Sequence, residues 1–475
     1  MTARAGPVVD APRYSFPPRE RRGLLLGLDG GQLLTVAGGA MVGLVAHTSL
    51  GGSAGAAAAV LFVTAGLLAA LWTRDGRPLA ARAVVAAAWL LRRPGRPTLD
   101  PAPTDGHHPA VSRVGRATHR PRPSTAGHLH HRNPARPRGT APAGIELVEA
   151  ATVPGEAPIG LVRDRRAGTW AGVVPVRGGS FSLLDPLEQA QVLERWRQVL
   201  GTVARPGSPV ARIQWVQRSW TEPHGGGIGA PIVHRASWLV LVVGGRPGRT
   251  RAEGRPDLGR AALEREMRLL DGQLRAAELQ PGPPVPLDEL HDLMARAAGH
   301  QPTRRARPWP LAGEDAWAAY RADGLWHATF WIAEWPRVPV GPDFLSPLLL
   351  SPARTTVSVL MAPVPPDRAM REVRSARTAD RADAELRSRA GFLSSARRDR
   401  ESEGVTLREE ELAEGHQDFR FTGYVTVSAA ESERLPAACA EVGHAAQAAR
   451  VELRRLYGRQ AEAFTWTLPL GRGLR

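Results

Sequence analysis

The stretch closest to a phosphate-binding loop is Gly244-Gly245-Arg246-Pro247-Gly248-Arg249-Thr250, which follows an apolar, strand-like run as such loops do. It fails on detail. The glycine spacing is wrong, arginine stands where lysine is required, and Pro247 removes an amide that would have bound phosphate. The deficit extends to the whole chain of 475 residues, whose 62 basic side chains are all arginine. Without a lysine there is no Walker A site, no Schiff-base chemistry and no protein-kinase site, since each needs that amine as point charge or nucleophile.

Other reactive patterns are equally thin. Gly51-Gly52-Ser53-Ala54-Gly55 matches the string of a nucleophile elbow but lies between two apolar stretches rather than between a strand and a helix. There is no HExxH and no dinucleotide fingerprint, and the single cysteine, Cys439, can form neither an internal disulfide nor a cysteine-based zinc site. His224, His234, His327, His416 and His444 have no spacing that marks a base, and each reads as structural. The 13 tryptophans, set beside arginine, raise base stacking as an alternative. In Leu325-Trp326-His327-Ala328-Thr329-Phe330-Trp331-Ile332, however, aromatics fall on both faces of the alternation, as in a buried strand. The expectation is a protein with no catalytic residue, no cofactor and no bound metal.

What positions these residues begins with a membrane-like segment. Residues 30–73 contain no charge, a run of 44 residues, and one spanning helix needs about 20. Two spans are predicted, Gln32–His47 and Ala54–Trp72, broken at Thr48-Ser49-Leu50-Gly51-Gly52-Ser53. Arg13, Arg19, Arg21 and Arg22 precede the pair and Arg74, Arg77 and Arg82 follow it, while the turn is uncharged, which predicts a plasma-membrane hairpin with both termini cytoplasmic. Gly39 and Gly43 form a small-xxx-small pair open to another helix, a pattern that a glycine-rich composition also produces. Leu79–Leu91 is apolar but too short to cross, so it either lies on the inner membrane surface or prolongs the second span.

Residues 92–140 hold nine prolines, six histidines and ten arginines against two aspartates. No core can form from that composition, which reads as an extended tether drawn to anionic inner-leaflet lipid or, equally, to nucleic acid. Its histidines, His107, His108, His119, His128, His130 and His131, have no ordered backbone to make them a metal site.

From Gly144 the texture becomes that of a folded domain. Strands are predicted at 145–151, 159–163, 168–176, 180–184, 211–220, 236–243, 324–335, 355–362 and 419–427, with helices at 260–279 and 287–298. Asp185-Pro186-Leu187-Glu188 starts a further helix running to about Val203. Arg368 to Gly415 alternates in charge and reads as solvated helices or a projecting arm, the first candidate for a docking surface. Ser428-Ala429-Ala430-Glu431 reads as a capping box, followed by a helical stripe of Leu435, Cys439, Val442, Ala446, Ala449, Leu453 and Leu456 that makes Cys439 a small buried residue. A last strand is expected at 463–468. The fold class is α+β: a cytoplasmic tail (1–29), a two-helix transmembrane hairpin (30–73), an interfacial or extended helix (74–93), a Pro/Arg/His-rich tether (94–141) and a mixed cytoplasmic domain with a long C-terminal helical region (142–475).

Several stretches resemble a family of membrane proteins from actinobacterial conjugation-type gene clusters. They are Ile159-Gly160-Leu161-Val162-Arg163-Asp164 through Thr169-Trp170, Ser180–Gln189, Gly207-Ser208-Pro209-Val210, Gln214-Trp215-Val216, Ser375–Asp380, Arg389–Leu393, Gly423–Val427 and Thr467-Leu468-Pro469-Leu470-Gly471-Arg472-Gly473. In that family the hairpin is similar to the small PrgI-type inner-membrane subunit of type IV secretion systems, and the rest to the non-catalytic N-terminal domain of the conjugative secretion ATPase. There a Leu-Pro-Leu-Gly-like segment leads into the motor, whereas here the chain ends at Arg475. The resemblance implies a non-enzymatic scaffold, oligomeric in its assembly, that docks a separate secretion ATPase and other membrane subunits. Two alternatives stand beside it: a type VII secretion membrane subunit of the EccE kind, and a membrane-tethered nucleic-acid-binding protein.

Overall fold

A computed structural model of the chain describes residues 13–14, 16, 30–74, 77–91, 142, 144–150, 158–177, 181–222, 232–244, 256–299, 309–310, 313–390 and 396–474. The expected tether at 94–141, most of the N-terminal tail and the loop Gly245–Thr250 lie outside the described residues.

The uncharged run forms α1 (Gly30–Leu50) and α2 (Gly52–Leu71), both long and apolar enough to cross a membrane. Both exceed the expected spans at their N-terminal ends, and the break is narrower than expected. Thr48 and Ser49 return their hydroxyls to the carbonyl of Val45 and stay helical, so the reversal falls on Gly51, whose φ of 60° suits glycine. The helices pack backbone to backbone. A Cβ on Gly39 would stand 2.9 Å from the carbonyl oxygen of Phe62 and 3.0 Å from the Cα of Gly66, and one on Gly43 would stand 3.0 Å from the Ala59 carbonyl oxygen. The glycine pair therefore serves the hairpin itself. At the open end Gln32 Nε2 donates to the carbonyl of Ala70 at 2.9 Å.

A minimal antiparallel ladder, β1 (Thr73–Arg74) with β2 (Arg77–Pro78), separates α2 from α3 (Leu79–Leu91), so α3 is a helix in its own right and not a prolongation of the second span. Then come β3 (Ile145–Ala150), β4 (Ile159–Asp164), β5 (Thr169–Arg177), α4 (Pro186–Val203), β6 (Val210–Glu222), β7 (Ile232–Gly244), α5 (Pro256–Ala276), β8 (Gln280–Pro281) and α6 (Leu287–Ala298). They are followed by β9 (Gly313–Asp315), β10 (Tyr320–Ala322), β11 (Leu325–Glu334), α7 (Ser346–Leu349), β12 (Thr355–Pro363), α8 (Pro366–Ala390), α9 (Ala396–Ala413), β13 (Phe419–Ala429), α10 (Leu435–Ala448), β14 (Glu452–Arg455) and α11 (Gln460–Thr467).

All twelve strands from β3 onward join one antiparallel sheet in the order β3-β4-β5-β7-β6-β12-β13-β11-β10-β9, with β8 against β5 and β14 against β11. The order reads the same from either edge. Each half is an edge strand, a hairpin, a helix, a second hairpin, a helix, a short strand back on the first hairpin, and a last helix. The halves meet antiparallel at β6 and β12, with Val216 opposite Ser358. The symmetry is broken by α8 and α9, which occupy the β12–β13 connection.

Period-2 alternation sorts the side chains onto two buried faces. One carries Val173, Val216, Trp238, Val240 and Val242 under α6 and α11; the other carries Ile213, Leu239, Leu241 and Val243 under α4 and α5, continued by Ile332, Val357, Val425 and Val427 under α10. Because β7 is covered on both faces, Trp238 to Val243 is apolar at every position.

Asp185 opens α4 as expected: its carboxylate accepts from the amides of Leu187 and Glu188, and Glu188 accepts from the Asp185 amide. The charged region forms the paired helices α8 and α9. Four other expectations are corrected. Of the strand expected at 180–184, residues 181–183 are a single 3₁₀ turn. Ser428 does not cap a helix; it stays in β13 with its hydroxyl on His327, and α10 begins at Leu435 after Arg434, which supplies no side-chain cap. The long stripe breaks where Arg450 takes φ 57°, so Leu453 lies on β14 and Leu456 just beyond it, both still in the core. The expected final strand is α11, and its buried positions Gln460, Ala463, Phe464 and Thr467 have helical spacing.

Gly39→Leu should force the two apolar helices apart. With Gln32→Cys and Ala70→Cys in a Cys439→Ser background, oxidation in detergent should crosslink the hairpin, and adding Gly39→Leu should abolish the crosslink; undiminished crosslinking would mean the glycine contact is dispensable.

Candidate functional site

Two segments flanking the hairpin rest on the sheet domain. On α3, the Trp89 ring meets Trp317 edge-on at 5.6 Å, and Trp317 stacks on Tyr457 at 6.0 Å. Gly458 follows with φ 70°, and a Cβ there would enter the Trp317 ring at 2.7 Å and approach Val85 at 3.1 Å, so glycine is what lets α3 approach. Before the hairpin, Tyr14 pairs antiparallel with Val340, and Phe16 lies 5.4 Å from Trp335 and 5.2 Å from Phe344. An aromatic cluster of this kind adds about 1 kcal/mol per pair beyond its buried area.

Between α3 and the sheet lies a cleft of about 910 Å³. Val84, Val85 and Ala88 form one wall, and Trp309, Phe464 and Leu468 form the apolar part of the other. Its charges are largely matched: Arg459 pairs with Glu462 at 2.9 Å, and Arg472 with Asp164 at 3.1 Å. Pro142 lines the same cleft as Ala88. Side-chain packing of α3 on Trp317 and Gly458 thus holds it against the domain.

Behind the cleft wall runs a buried polar seam. Gln214, with no exposed surface, donates through Nε2 to Ser358 Oγ (2.8 Å) and to the carbonyls of Trp466 (3.1 Å) and Leu468 (2.9 Å), and accepts from the Gly471 amide at 2.7 Å. Tyr424 donates to the Gly473 carbonyl at 2.6 Å, and Gln460 accepts from the Thr329 amide at 2.7 Å. Thr426 Oγ1 lies 2.9 Å from Thr329 Oγ1 and 2.8 Å from Thr467 Oγ1. Together these bonds lay the Leu-Pro-Leu-Gly-Arg-Gly segment across the sheet where its halves meet.

His327 belongs to this seam. It is fully buried, with Nδ1 2.9 Å from Ser428 Oγ and Nε2 without a hydrogen-bond partner, and its ring packs 4.3 Å from Phe464. Burial first, then Arg218 and Arg354, push its pKa down to about 3, so it is neutral at physiological pH.

The remaining expected candidates do not converge. Cys439 is half-buried in the α10 core, where burial pushes its thiol up although Arg455 pulls the other way. Among the described residues no three His, Cys, Asp or Glu side chains cluster as a metal site. His224 and the tether histidines lie outside the described residues. The α8–α9 arm has a small core of Val373, Ala376 and Val405 and is laced by ion pairs, Arg377 with Glu409, Arg408 with Asp418, and Arg420 with Glu372. What the sequence reading missed is the seam; its signal was polar residues at core-facing positions of apolar strands, Gln214, Thr329 and Thr426.

No protein-family model matches the chain, and no curated protein matches it.

Gln214→Leu should cost about 3 kcal/mol in urea unfolding, because Leu keeps the volume but leaves the Gly471 amide and the Trp466 carbonyl unpaired, and it should speed amide exchange at Gly471. For His327 the folded pKa lies below the unfolded value of 6.5, so its contribution to stability is intact above pH 6.5 and is lost as pH falls toward about 3. Wild type should lose about 2 kcal/mol more than His327→Phe between pH 7.5 and pH 5; equal losses would place the imidazole in contact with solvent.

Proposed function

We propose that this chain is a non-enzymatic scaffold subunit of a type IV secretion or conjugation-like machine, held in the plasma membrane by the α1–α2 hairpin with both termini cytoplasmic. It docks a separate secretion ATPase and other membrane subunits and carries no bond chemistry of its own. The observation that supports this reading best is the double attachment of the hairpin: Phe16 on one side and Trp89 on the other pack onto the sheet domain. Motion transmitted to such a domain would be delivered to the bilayer directly. The absence of lysine supports the same reading, because ATP-driven work must then come from a partner. The α8–α9 arm is the first docking candidate, since it occupies a hairpin connection and many of its described side chains are exposed.

The test is affinity purification of the detergent-solubilised chain from its native cell, with mass spectrometry of what stays bound, beside a variant lacking residues 142–475. Recovery of a conjugative-type ATPase by the full chain and not by the variant is expected. Type VII components in its place, or nucleic acid alone, would overturn the proposal in favour of that rival.

A further inference from the structure

Arg218, Arg296 and Arg354 gather where the two halves of the sheet meet beneath the end of α6. Ser219 pairs with Thr355, which places Arg354 beside Trp220; on its other side the Ser428 amide donates to the Arg354 carbonyl at 2.9 Å, and Ser428 pairs with His327. His327, Ser428, Arg354 and Trp220 thus form one row across the sheet with their side chains on one face, and Arg218 is the next position on that face. The Arg218 guanidinium lies 5.6 Å from the centre of the Trp220 ring and donates to the carbonyl of Arg296 in the last turn of α6.

Many arginines elsewhere in the domain pair with carboxylates, whereas Arg235 bonds to the carbonyls of Leu349 and Leu350 and Arg455 lies over Phe330; among the described residues no carboxylate pairs with Arg218, Arg296 or Arg354, and these three are gathered in one place. Burial first, and then Arg354 and Arg296, bring Arg218 down to about 10. Burial alone lowers Arg354. Like charges held together in partial burial are costly unless an anion joins them. In the same row stands His327, on which the charges of Arg218 and Arg354 act and whose buried Nε2 has no partner.

We propose that Arg218, Arg354 and Arg296 form an oxyanion site that takes a phosphate group, with the planar forks of Arg218 and Arg354 as donors and Trp220 as a wall. Guanidinium forks match phosphate oxygens two at a time, and a charge-assisted pair is the strong form of the hydrogen bond. The group has two chemical sources, free phosphate and a phospholipid headgroup. The proposal does not depend on the secretion reading, because it concerns the purified chain alone.

Inorganic phosphate and glycerol 3-phosphate serve as probes of the full chain in detergent, by calorimetric titration and by thermal unfolding against chloride at matched ionic strength. Wild type should bind phosphate and be stabilised by it. Arg354→Gln should bind about tenfold more weakly, yet melt higher than wild type without phosphate, because it removes repulsion and breaks no side-chain bond. Arg296→Gln, at an exposed position, should weaken binding in the same direction and serves if Arg354→Gln does not fold. Tighter binding of glycerol 3-phosphate assigns the site to a headgroup, and equal binding to the free anion. No phosphate-specific stabilisation in wild type, or unchanged binding in the variants, would overturn the site.

Discussion

The amide of Gln214 is the point on which the domain's construction depends. A twelve-stranded antiparallel sheet built of two similar halves needs something at its centre besides strand pairing, because the β6–β12 ladder alone would allow other registers. Gln214 fixes the register in two directions at once, reaching across to Ser358 on the other half and up to the segment from Trp466 to Gly471. A buried amide satisfied by four partners is hard to replace, since any slip of the sheet leaves several polar groups orphaned. The apolar clusters on either face supply most of the driving force, but they tolerate shifts that this amide does not.

The same centre explains the neighbouring chemistry. Polar and charged residues occupy one face of the second half, where the first half has valine and tryptophan, and α11 is shaped to meet them with Gln460 and Thr467. The sheet halves thus share a plan but not a lining. The buried imidazole of His327 and the guanidinium of Arg354 lie on that unlike face, met by Arg218 from β6 of the first half, whereas the opposite face is apolar beneath α4, α5 and α10.

Local signals were legible and long-range ones were not. Asp185, Pro186 and Glu188 announce α4 because every atom of the cap lies within four residues. Ser428 and Glu431 show the same spacing, yet His327, 101 residues away in sequence, claims the serine and no cap forms. The uncharged run predicted two helices but not their contact, because Gly39 and Gly43 acquire meaning only against Phe62, Gly66 and Ala59. The apolar residues beyond Ala449 continued a helical period by coincidence: Arg450 turns the chain, and Leu453 and Leu456 reach the core from a strand and the turn after it. The repeated plan has no counterpart in visible sequence repeats, since alternation can be satisfied by many residue choices.

The bond from Gln214 to Gly471 closes 257 residues of chain. Hairpins such as β6–β7 form from neighbours as they are made, but the central seam stays open until Trp466 to Gly471 emerge. During synthesis the apolar hairpin therefore appears long before the closing clasp. The nascent domain must wait with its polar seam uncovered, and its completion becomes a proofreading step: a chain truncated before Leu468 keeps every described strand and lacks the latch that makes them one sheet.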